Sequence, residues 1–483
     1  MIHLTKPAVS IALPALLCLF LLAAAPALAL ELQVGTVTPF DPNPITVISS
    51  QPGTLTITAV SGVRKLENPV TDLPVEAGET GLTWQGLTFG GEPVAGGPVT
   101  LEATVVHADG STETAAVKVQ IRKPRVVVVS VLPSAQAWYP DKNNKLKIDV
   151  TLSRQGHFFM ELASAGKPDE VLWRCQGDNN TREPSSVLWN GRLNGGKTCP
   201  AGEYILTAYS RAVPDIRQTH SLTILEAPLP EPEFTVSSAF LPEDLTDDAA
   251  VWEALMAPVV VGIGGEGKGL HILRSKTSRG DDAGTVNCRT VGLVIREICE
   301  DGWVLVGAWR QKDGAYVEGY IKRENLTVVR PNTHYGVLLD KKNQTITVYE
   351  EGKPIGTAQV STGLVREGYS QADSRSGVYL VGTRMSSFRR EGYCYDYPLR
   401  IDGANLIHQI GYRTVDGVPN FTDQIAELGQ KASHGCIRVD MRVTEENGGI
   451  NAWWIWTHLE RNTKIIVTED DGTPHYPLGT YAP

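Results

Sequence analysis

The chain has 483 residues, of which 42% are hydrophobic and 20% charged, and its formal net charge is -10 at pH 7. This length exceeds a single hydrophobic core and predicts about three or four domains. The negative charge, together with the lack of a basic run in the sequence, argues against nucleic acid as a partner. The 47 glycines and 30 prolines favour a turn-rich and therefore mainly β protein.

Residues 1–29 have the pattern of a secretory signal. Lys6 precedes an apolar stretch over residues 11–25, and Ala27-Leu28-Ala29 fits a small-x-small cleavage site. We therefore expect an exported protein. The alternative is that the segment stays uncleaved and anchors the chain, which is the only membrane contact that the sequence predicts.

The cysteine pattern fits an oxidising compartment. Six cysteines follow the signal: Cys175, Cys199, Cys288, Cys299, Cys394 and Cys436. The first two are near neighbours in sequence, as are the next two, and each pair is expected to close a loop by a disulfide within its domain. Cys394 is left either as a spectator thiol or as a partner of Cys436 under oxidation.

An internal repeat occupies the first half of the chain. Residues 82–86 (LTWQG) recur as residues 187–191 (VLWNG), and residues 97–101 recur as residues 202–206, at a constant offset of 105. A period near this value, with short alternating runs, predicts two tandem β-sandwiches. The pattern resembles the Ig-like domain of flagellar hook-capping proteins and other exported bacterial proteins. Its tryptophans are expected in the cores rather than on a ligand platform.

A proline-rich linker, Ala227–Glu233, leads into an acidic segment that is expected to be helical from about Glu243 to Leu255. A compact β region follows. Its end, with Gly302–Val306 and Glu318–Ile321, resembles a bacterial SH3-like barrel. Such modules bind wall peptides or serve as spacers, and the sequence leaves both open.

The glycine-rich segment Gly262–Gly267 fits G-x-G-x-x-G by its letters. A phosphate-binding loop needs a helix after it, and a P-loop also needs Ser or Thr after the lysine. Here Lys268 is followed by Gly269 and then by the strand-like Leu270–Leu273. No nucleotide is expected, and no metal or other cofactor, since the mature sequence has no HExxH and no Cys-x-x-Cys.

The most informative stretch is Ser433–Asp440 (SHGCIRVD), with His408 upstream. A thiol needs a base to become a good nucleophile, and it needs backbone N–H groups to hold the oxyanion that forms on attack. His408 can supply the imidazole to Cys436, and Gly435 lets the backbone turn closely. An imidazolium beside the sulfur lowers the pKa of the thiol, so a thiolate–imidazolium pair is expected.

These residues, with Gln344, Val348-Tyr349, Gly352-Lys353 and Ser361-Thr362-Gly363, resemble the L,D-transpeptidase (YkuD) catalytic domain over roughly residues 334–470. The resemblance implies a β-rich catalytic domain with the thiol at the end of a groove. It also implies attack on the bond before the terminal D-alanine of a peptidoglycan stem tetrapeptide. The acyl group then passes to the amine of a neighbouring stem and forms a 3→3 cross-link in the cell wall or periplasm.

The resemblance also implies roles for residues of this chain. Cys436 is the nucleophile and His408 the base, and the Gln409 carbonyl orients the histidine. The N–H groups of Gly435 and Cys436 form the oxyanion hole. Substrate binding or loop support falls to Ser433, His434, Arg438, Tyr395 and Tyr397, with core packing equally open for the two tyrosines.

Two departures from the family pattern are visible. Between His408 and Ser433 lie 24 residues, more than is usual, and the excess over residues 415–431 is expected to form an enlarged loop with a short helix near Asp423–Leu428. The usual Thr-Pro-x-Gly is replaced by Ser374-Arg375-Ser376-Gly377.

Two other functions remain possible. The same acyl-enzyme could be resolved by water, which would make an L,D-carboxypeptidase or a wall-peptide hydrolase. The chain could also be a non-catalytic wall-binding scaffold. In full, the sequence predicts a mainly β, multidomain protein with these parts: signal 1–29, Ig-like sandwiches 30–124 and 125–226, linker with a short helix 227–256, SH3-like domain 257–331, catalytic domain 332–470 and tail 471–483.

Overall fold

The computed structural model describes residues 30–470 except 62–63, 89–92, 142–143, 181–182, 236–243, 278–280, 365–371, 386, 404, 416–417 and 445. The signal segment, the C-terminal tail, Glu243 and the repeat glycines Gly90 and Gly91 therefore lie outside the described residues. The prediction of a mainly β, multidomain protein is confirmed, with 55% of the described residues in strands and 6% in helices. No helix among the described residues has the length and apolar character needed to cross a membrane.

The chain divides into two compact units, one formed by residues up to Arg125 with Thr414–Val418, and the other by Val126–Arg413 and the residues from Pro419 onward. The first unit has two sheets, of order β1-β2-β5 and β4-β3-β6-β7, that share one core. Its strands are β1 (Glu31–Val34), β2 (Asn43–Ser49), β3 (Gly53–Ser61), β4 (Arg64–Val75), β5 (Gly78–Trp84), β6 (Gly97–His107) and β7 (Thr112–Ile121). Alternate residues of β6 are buried, as expected for a strand with one face on a core.

The second unit begins with a similar pair of sheets, of order β13-β10-β8 and β12-β11-β14-β15-β9, around a second core. The strands are β8 (Val128–Pro133), β9 (Ala137–Trp138), β10 (Leu146–Leu152), β11 (Gly156–Ser164), β12 (Lys167–Asn179), β13 (Ser185–Trp189), β14 (Gly202–Ser210) and β15 (Val213–Ile224). We call this part the second sandwich. Its Ig-like identity, like that of the first, stays a prediction.

The sequence repeat is reproduced in three dimensions. Trp84 and Trp189 are both buried, as predicted. In each copy the indole Nε1–H donates to the carbonyl three residues later, Leu87 or Arg192, at 2.9 Å. Gly86 and Gly191, which follow the tryptophans, have φ of 67° and 76°, a region that glycine adopts at little cost.

The next part comprises α1 (Asp248–Met256), β16 (Val259–Gly262), β17 (Gly269–Leu273), β18 (Asp282–Asn287), β19 (Val294–Ile298), β20 (Trp303–Trp309), β21 (Tyr316–Lys322), the 3-10 helix Arg323–Asn325 and β22 (Leu326–Val329). Helix α1 is capped by Asp247, which accepts from the N–H groups of Ala249 and Ala250. The strand expected after the glycine-rich segment is confirmed as β17. Strands β16 and β22 pair with each other, and the others form a sheet of order β18-β17-β21-β20-β19.

The last part carries β23 (Tyr335–Asp340), β24 (Thr345–Glu350), β25 (Lys353–Ser361), β26 (Gly377–Leu380), β27 (Phe388–Arg390), β28 (Tyr393–Tyr395), β29 (Leu399–Asp402), β30 (Asn405–Gln409), β31 (Arg413–Val415), β32 (Val418–Asn420), α2 (Thr422–Ile425), β33 (Ile437–Val439), α3 (Ala452–His458) and β34 (Lys464–Val467). Its main sheet has the order β26-β34-β23-β24-β25-β33-β30-β29. The helix expected near Asp423–Leu428 is the four-residue α2.

The region predicted as SH3-like shares its core with the main sheet, since Val260, Ile295 and Val306 belong to the same buried cluster as Val337 and Ile465. Helix α1 also packs on this sheet. The buried Lys464 Nζ donates to the Ala254 and Ala257 carbonyls at the end of the helix, at 2.6 and 3.0 Å. The segment after the linker is therefore part of the second unit and supports its sheet.

The expected disulfides are not present. All six described cysteines are reduced thiols. For Cys288 and Cys299 the reason lies in the topology, because Cys288 follows β18 and Cys299 follows β19, at opposite edges of a five-stranded sheet. Cys175 and Cys199 both contact the core of the second sandwich, where burial raises the pKa of each thiol.

Candidate active site

The two residues at the centre of the predicted site lie on adjacent parallel strands. Strand β30 carries His408, and Cys436 immediately precedes β33. Ile407 is opposite Ile437 and His408 opposite Arg438, so residue 436 continues the ladder opposite residue 406. Side chains alternate between the faces of a sheet, so Cys436 and His408 emerge on the same face as diagonal neighbours. The strand pairing thus brings together residues that are distant in sequence.

The orientation of His408 is fixed by its neighbour. The Nδ1–H of the buried imidazole donates to the Gln409 carbonyl at 2.6 Å. A carbonyl only accepts, so Nδ1 carries the hydrogen and Nε2 is the basic nitrogen of the neutral ring. Burial lowers the pKa of His408 to about 4, and the positive charge of Arg438 adds to this effect.

The pKa of the Cys436 thiol is shifted in the direction opposite to the one expected from the sequence. Burial raises the pKa of Cys436, although the Leu406 backbone N–H and the charges of Arg438 and Arg390 oppose this. With the thiol pKa raised and the imidazole pKa lowered, the neutral thiol–imidazole pair is favoured. Both directions run against the thiolate–imidazolium pair expected from the sequence, because both charged forms lose hydration when buried.

Two aromatic rings, Tyr395 and Phe388, pack against the His408 ring. Tyr395 packs edge-on against His408 with ring centroids 4.8 Å apart, and Phe388 packs against it at 5.4 Å. Phe388 and Tyr395 stack on each other at 5.0 Å. Tyr397 instead packs against Trp453 and Trp456. Of the two tyrosines that sequence reasoning selected, Tyr395 thus packs on the histidine, and Phe388 was missed because nothing in its local sequence marks it.

The loop before the cysteine is held by the side chains of two serines, Ser433 and Ser374. Ser433 Oγ donates to the Cys436 carbonyl and accepts from the Gly435 N–H at 3.2 Å. Gly435 has a φ of 110°, and a Cβ there would lie 2.6 Å from Asn405 Oδ1. Ser374 Oγ donates to the Gly435 carbonyl at 2.9 Å and accepts from the Gly363 N–H at 2.9 Å. The departure from the family pattern at Ser374 therefore still supplies a hydroxyl to this loop.

The first strands of the domain reach the same loop through a chain of hydrogen bonds. The buried Gln344 accepts from the Thr362 N–H at 2.8 Å. The Thr362 carbonyl in turn accepts from the N–H groups of Ala432 and Ser433, both at 2.9 Å. Residues near 344 and 362 therefore help to set the position of Ser433, the first residue of the cysteine motif.

Two predicted binding residues have different surroundings. His434 is exposed. Arg438 is buried and forms an ion pair with Glu427, which lies in the insertion after α2. A substrate carboxylate would have to displace Glu427 to reach Arg438, and a substrate oxyanion would have to compete with Ser433 for the Gly435 N–H. Glu427 was not identified from the sequence, because the path of the insertion that brings it to Arg438 is not predictable.

Comparison with protein families matches residues 334–467 to the model of the YkuD L,D-transpeptidase catalytic domain. Comparison with curated proteins finds no match. Similar solved structures include an L,D-transpeptidase from Mycobacterium smegmatis, at 15% identity and a TM-score of 0.22, covering 38% of this chain and 89% of that one. An L,D-transpeptidase from Mycobacterium tuberculosis H37Rv has 18% identity and a TM-score of 0.23, covering 34% and 77%. L,D-transpeptidase 3 from Mycobacterium tuberculosis has 18% identity and a TM-score of 0.22, covering 34% and 79%.

These structural likenesses are too distant to carry an argument, so the assignment depends on the family match and the motif. The match covers the main sheet from β23 to β34 and includes both His408 and Cys436. Residues 334–467 of this chain are an L,D-transpeptidase catalytic domain of the YkuD family.

Proposed function

We propose that the protein is an exported peptidoglycan L,D-transpeptidase that uses Cys436 as its nucleophile and forms 3→3 cross-links in the cell wall. The observation that carries the proposal is the parallel pairing of β30 with β33, which puts His408 and Cys436 on one face, with the histidine Nδ1–H bound to the Gln409 carbonyl. This arrangement leaves Nε2 as the nitrogen able to accept the thiol proton.

The first half of the reaction makes a thioester. Cys436 Sγ attacks the carbonyl between the third and fourth residues of the stem, and its proton passes to His408 Nε2. The tetrahedral intermediate collapses, the C–N bond breaks, and the leaving D-alanine amine takes the proton from Nε2. Because the resting pair is neutral, proton transfer accompanies attack, and no ion pair forms beforehand.

The second half returns the thiol. The amine of a neighbouring stem attacks the thioester, its proton goes to His408, and the C–S bond breaks as Sγ regains that proton. If water reaches the thioester first, the product is a tripeptide. Selection of the amine therefore depends on how well the bound donor and acceptor exclude water from the site. The insertion over residues 415–431, through the Glu427–Arg438 pair, is part of the surroundings of this step.

Incubation of the purified protein with a disaccharide tetrapeptide tests the reaction outcome. A product with the mass of a dimer minus D-alanine is expected. Tripeptide alone would replace the transpeptidase by a carboxypeptidase or hydrolase using the same acyl-enzyme.

Covalent labelling by a carbapenem tests the nucleophile. We expect one adduct per chain, lost in Cys436→Ala and retained in Cys394→Ala, which removes a second partly buried thiol of the same domain. A folded, reduced wild-type protein that takes up no label would contradict the cysteine mechanism and favour the non-catalytic scaffold.

A further inference from the structure

A buried cluster of three potential metal ligands joins the second sandwich to the catalytic domain. His220 lies on β15, His334 precedes β23, and Glu460 follows α3. One ligand atom from each, two ring nitrogens and a carboxylate oxygen, lie within 4.8 Å of one another. Glu460 is 0% exposed and His220 is 7% exposed. All three belong to the second compact unit.

Each of the three side chains is held by a second partner on its far side. The His220 Nδ1–H donates to the Ser221 carbonyl at 2.7 Å, and the His334 Nε2–H donates to Glu350 at 2.9 Å. The second oxygen of Glu460 accepts from the Asn332 side-chain amide. Carbonyl and carboxylate partners on the outer nitrogen are typical of metal-bound histidines, because they fix the ring and its tautomer.

If both rings are neutral, these outer hydrogen bonds leave a lone pair on each inward nitrogen. With the hydrogen of His220 on Nδ1, its Nε2 lone pair is aimed at Glu460 Oε1. With the hydrogen of His334 on Nε2, its Nδ1 lone pair is aimed at the same oxygen, at 3.1 Å. The lone pairs of two neutral rings repel the negatively charged carboxylate oxygen that they face. A cation placed among the three atoms removes this repulsion at both rings.

The charge and chemistry of the cluster favour a divalent transition metal. A doubly charged ion offsets the two carboxylates, Glu460 and Glu350, that flank the histidines. Two imidazoles and one carboxylate are ligands that suit Zn²⁺, whose bonds of about 2.0–2.1 Å place the ligand atoms of a tetrahedral site about 3.4 Å apart. The observed atoms, within 4.8 Å of one another, would have to approach by up to about 1.4 Å to reach this spacing, and a water molecule can complete the set.

We propose that His220, His334 and Glu460 form a structural Zn²⁺ site that ties the second sandwich to the catalytic domain. The ion reaches it past His334, whose side chain is 22% exposed. The site does not depend on the proposed reaction, because its residues belong to a different set from Cys436 and His408. Its role would be to fix the sandwich relative to the catalytic sheet, through Glu460 at the end of α3.

Zinc content of the full chain tests the proposal. The wild type, His220→Gln and the matched control His157→Gln are loaded with Zn²⁺, dialysed and measured by inductively coupled plasma mass spectrometry. His157 is an exposed histidine of the same sandwich that pairs with Asp178. We expect about one zinc per chain in the wild type and the control, and at least a tenfold reduction in His220→Gln. Equal zinc in all three proteins would place the ion elsewhere and overturn the site. No zinc in the wild type would overturn it in favour of two protonated histidines.

X-ray absorption of the zinc-loaded wild type keeps the proposal testable if the His220 variant does not fold. Two imidazole ligands and no sulfur are expected in the zinc shell. Sulfur scattering would place the ion on cysteine thiols and overturn the proposal.

Discussion

The hydroxyl of Ser374 offers the sharpest test of how the cysteine loop is held. This buried side chain accepts from the Gly363 N–H and donates to the Gly435 carbonyl, both at 2.9 Å. Ser374→Ala leaves both backbone groups buried without that partner. Each such loss costs about 1–3 kcal/mol, and a water molecule that enters the small space left by the oxygen would reduce the total. We therefore expect the loop to lose about 2–4 kcal/mol of local stability.

Two measurements detect this loss of local stability in the cysteine loop. A loss of 2 kcal/mol corresponds to about thirtyfold faster hydrogen exchange where the loop opens locally, in peptides that contain Gly363 or Gly435. Displacement of the cysteine by a fraction of an ångström should also slow carbapenem acylation by about 10- to 100-fold.

A nearby serine provides the matched control. Ser361 is also buried, but its Oγ has no hydrogen-bond partner among the described residues. Ser361→Ala should therefore leave both the exchange of the loop and the acylation rate unchanged. If the two variants behave alike in both assays, Ser374 does not hold the loop, and the reasoning is refuted.

Three further predictions concern protonation and buried charge. Because burial raises the pKa of Cys436 and lowers that of His408 to about 4, the rate of Cys436 alkylation by iodoacetamide should be low at pH 6 and rise steeply in alkaline solution. An alkylation rate already at its plateau at pH 6 would indicate a thiolate–imidazolium pair instead. The folded state keeps His408 neutral while the unfolded chain binds a proton below about pH 6.5, so stability should fall by about 3 kcal/mol as the pH drops from 6.5 to 4. Urea unfolding of wild type and His408→Gln at both pH values measures this, and equal pH dependence of the two would contradict it. Asp402→Asn leaves the buried Arg375 without its ion partner and should cost about 3–5 kcal/mol in urea unfolding, whereas Asp313→Asn, at a more exposed pair, should cost less than about 1 kcal/mol; similar losses in both would count against a desolvated pair.

The short linear motif made the family of the last domain predictable, but not the electrostatics of the site. Ser433–Cys436 and His408 stay the predicted catalytic residues, because the proposed reaction needs a thiol, a base and a close backbone turn. The direction of the pKa shift of the thiol was not predictable, because it depends on the distance of the thiol from water, which a motif does not contain. The pairing of Arg438 with Glu427 was equally hidden, since it depends on the path of an insertion whose length the sequence gives but whose course it does not.

The disulfide expectation failed for a related reason. Nearness in sequence is a fair guide when a chain segment forms a single loop, but Cys288 and Cys299 are separated by the order of the strands in their sheet. The boundaries between domains are similarly difficult to read, because the buried cluster that includes Val306 and Ile465 crosses one of them. The Ig-like and SH3-like identities stay predictions.

The sequence by itself determined the β character, the 105-residue repeat with its buried tryptophans, and the family of the last domain, because each depends on local periodicity or on residues close along the chain. Only the tertiary structure decided which strand lies beside which. That choice brings His408 next to Cys436, fixes Ser374 under the cysteine loop, and gathers His220, His334 and Glu460 from sites up to 240 residues apart. Burial then sets the protonation of these groups, because the loss of hydration depends on the whole packed fold and not on any one segment.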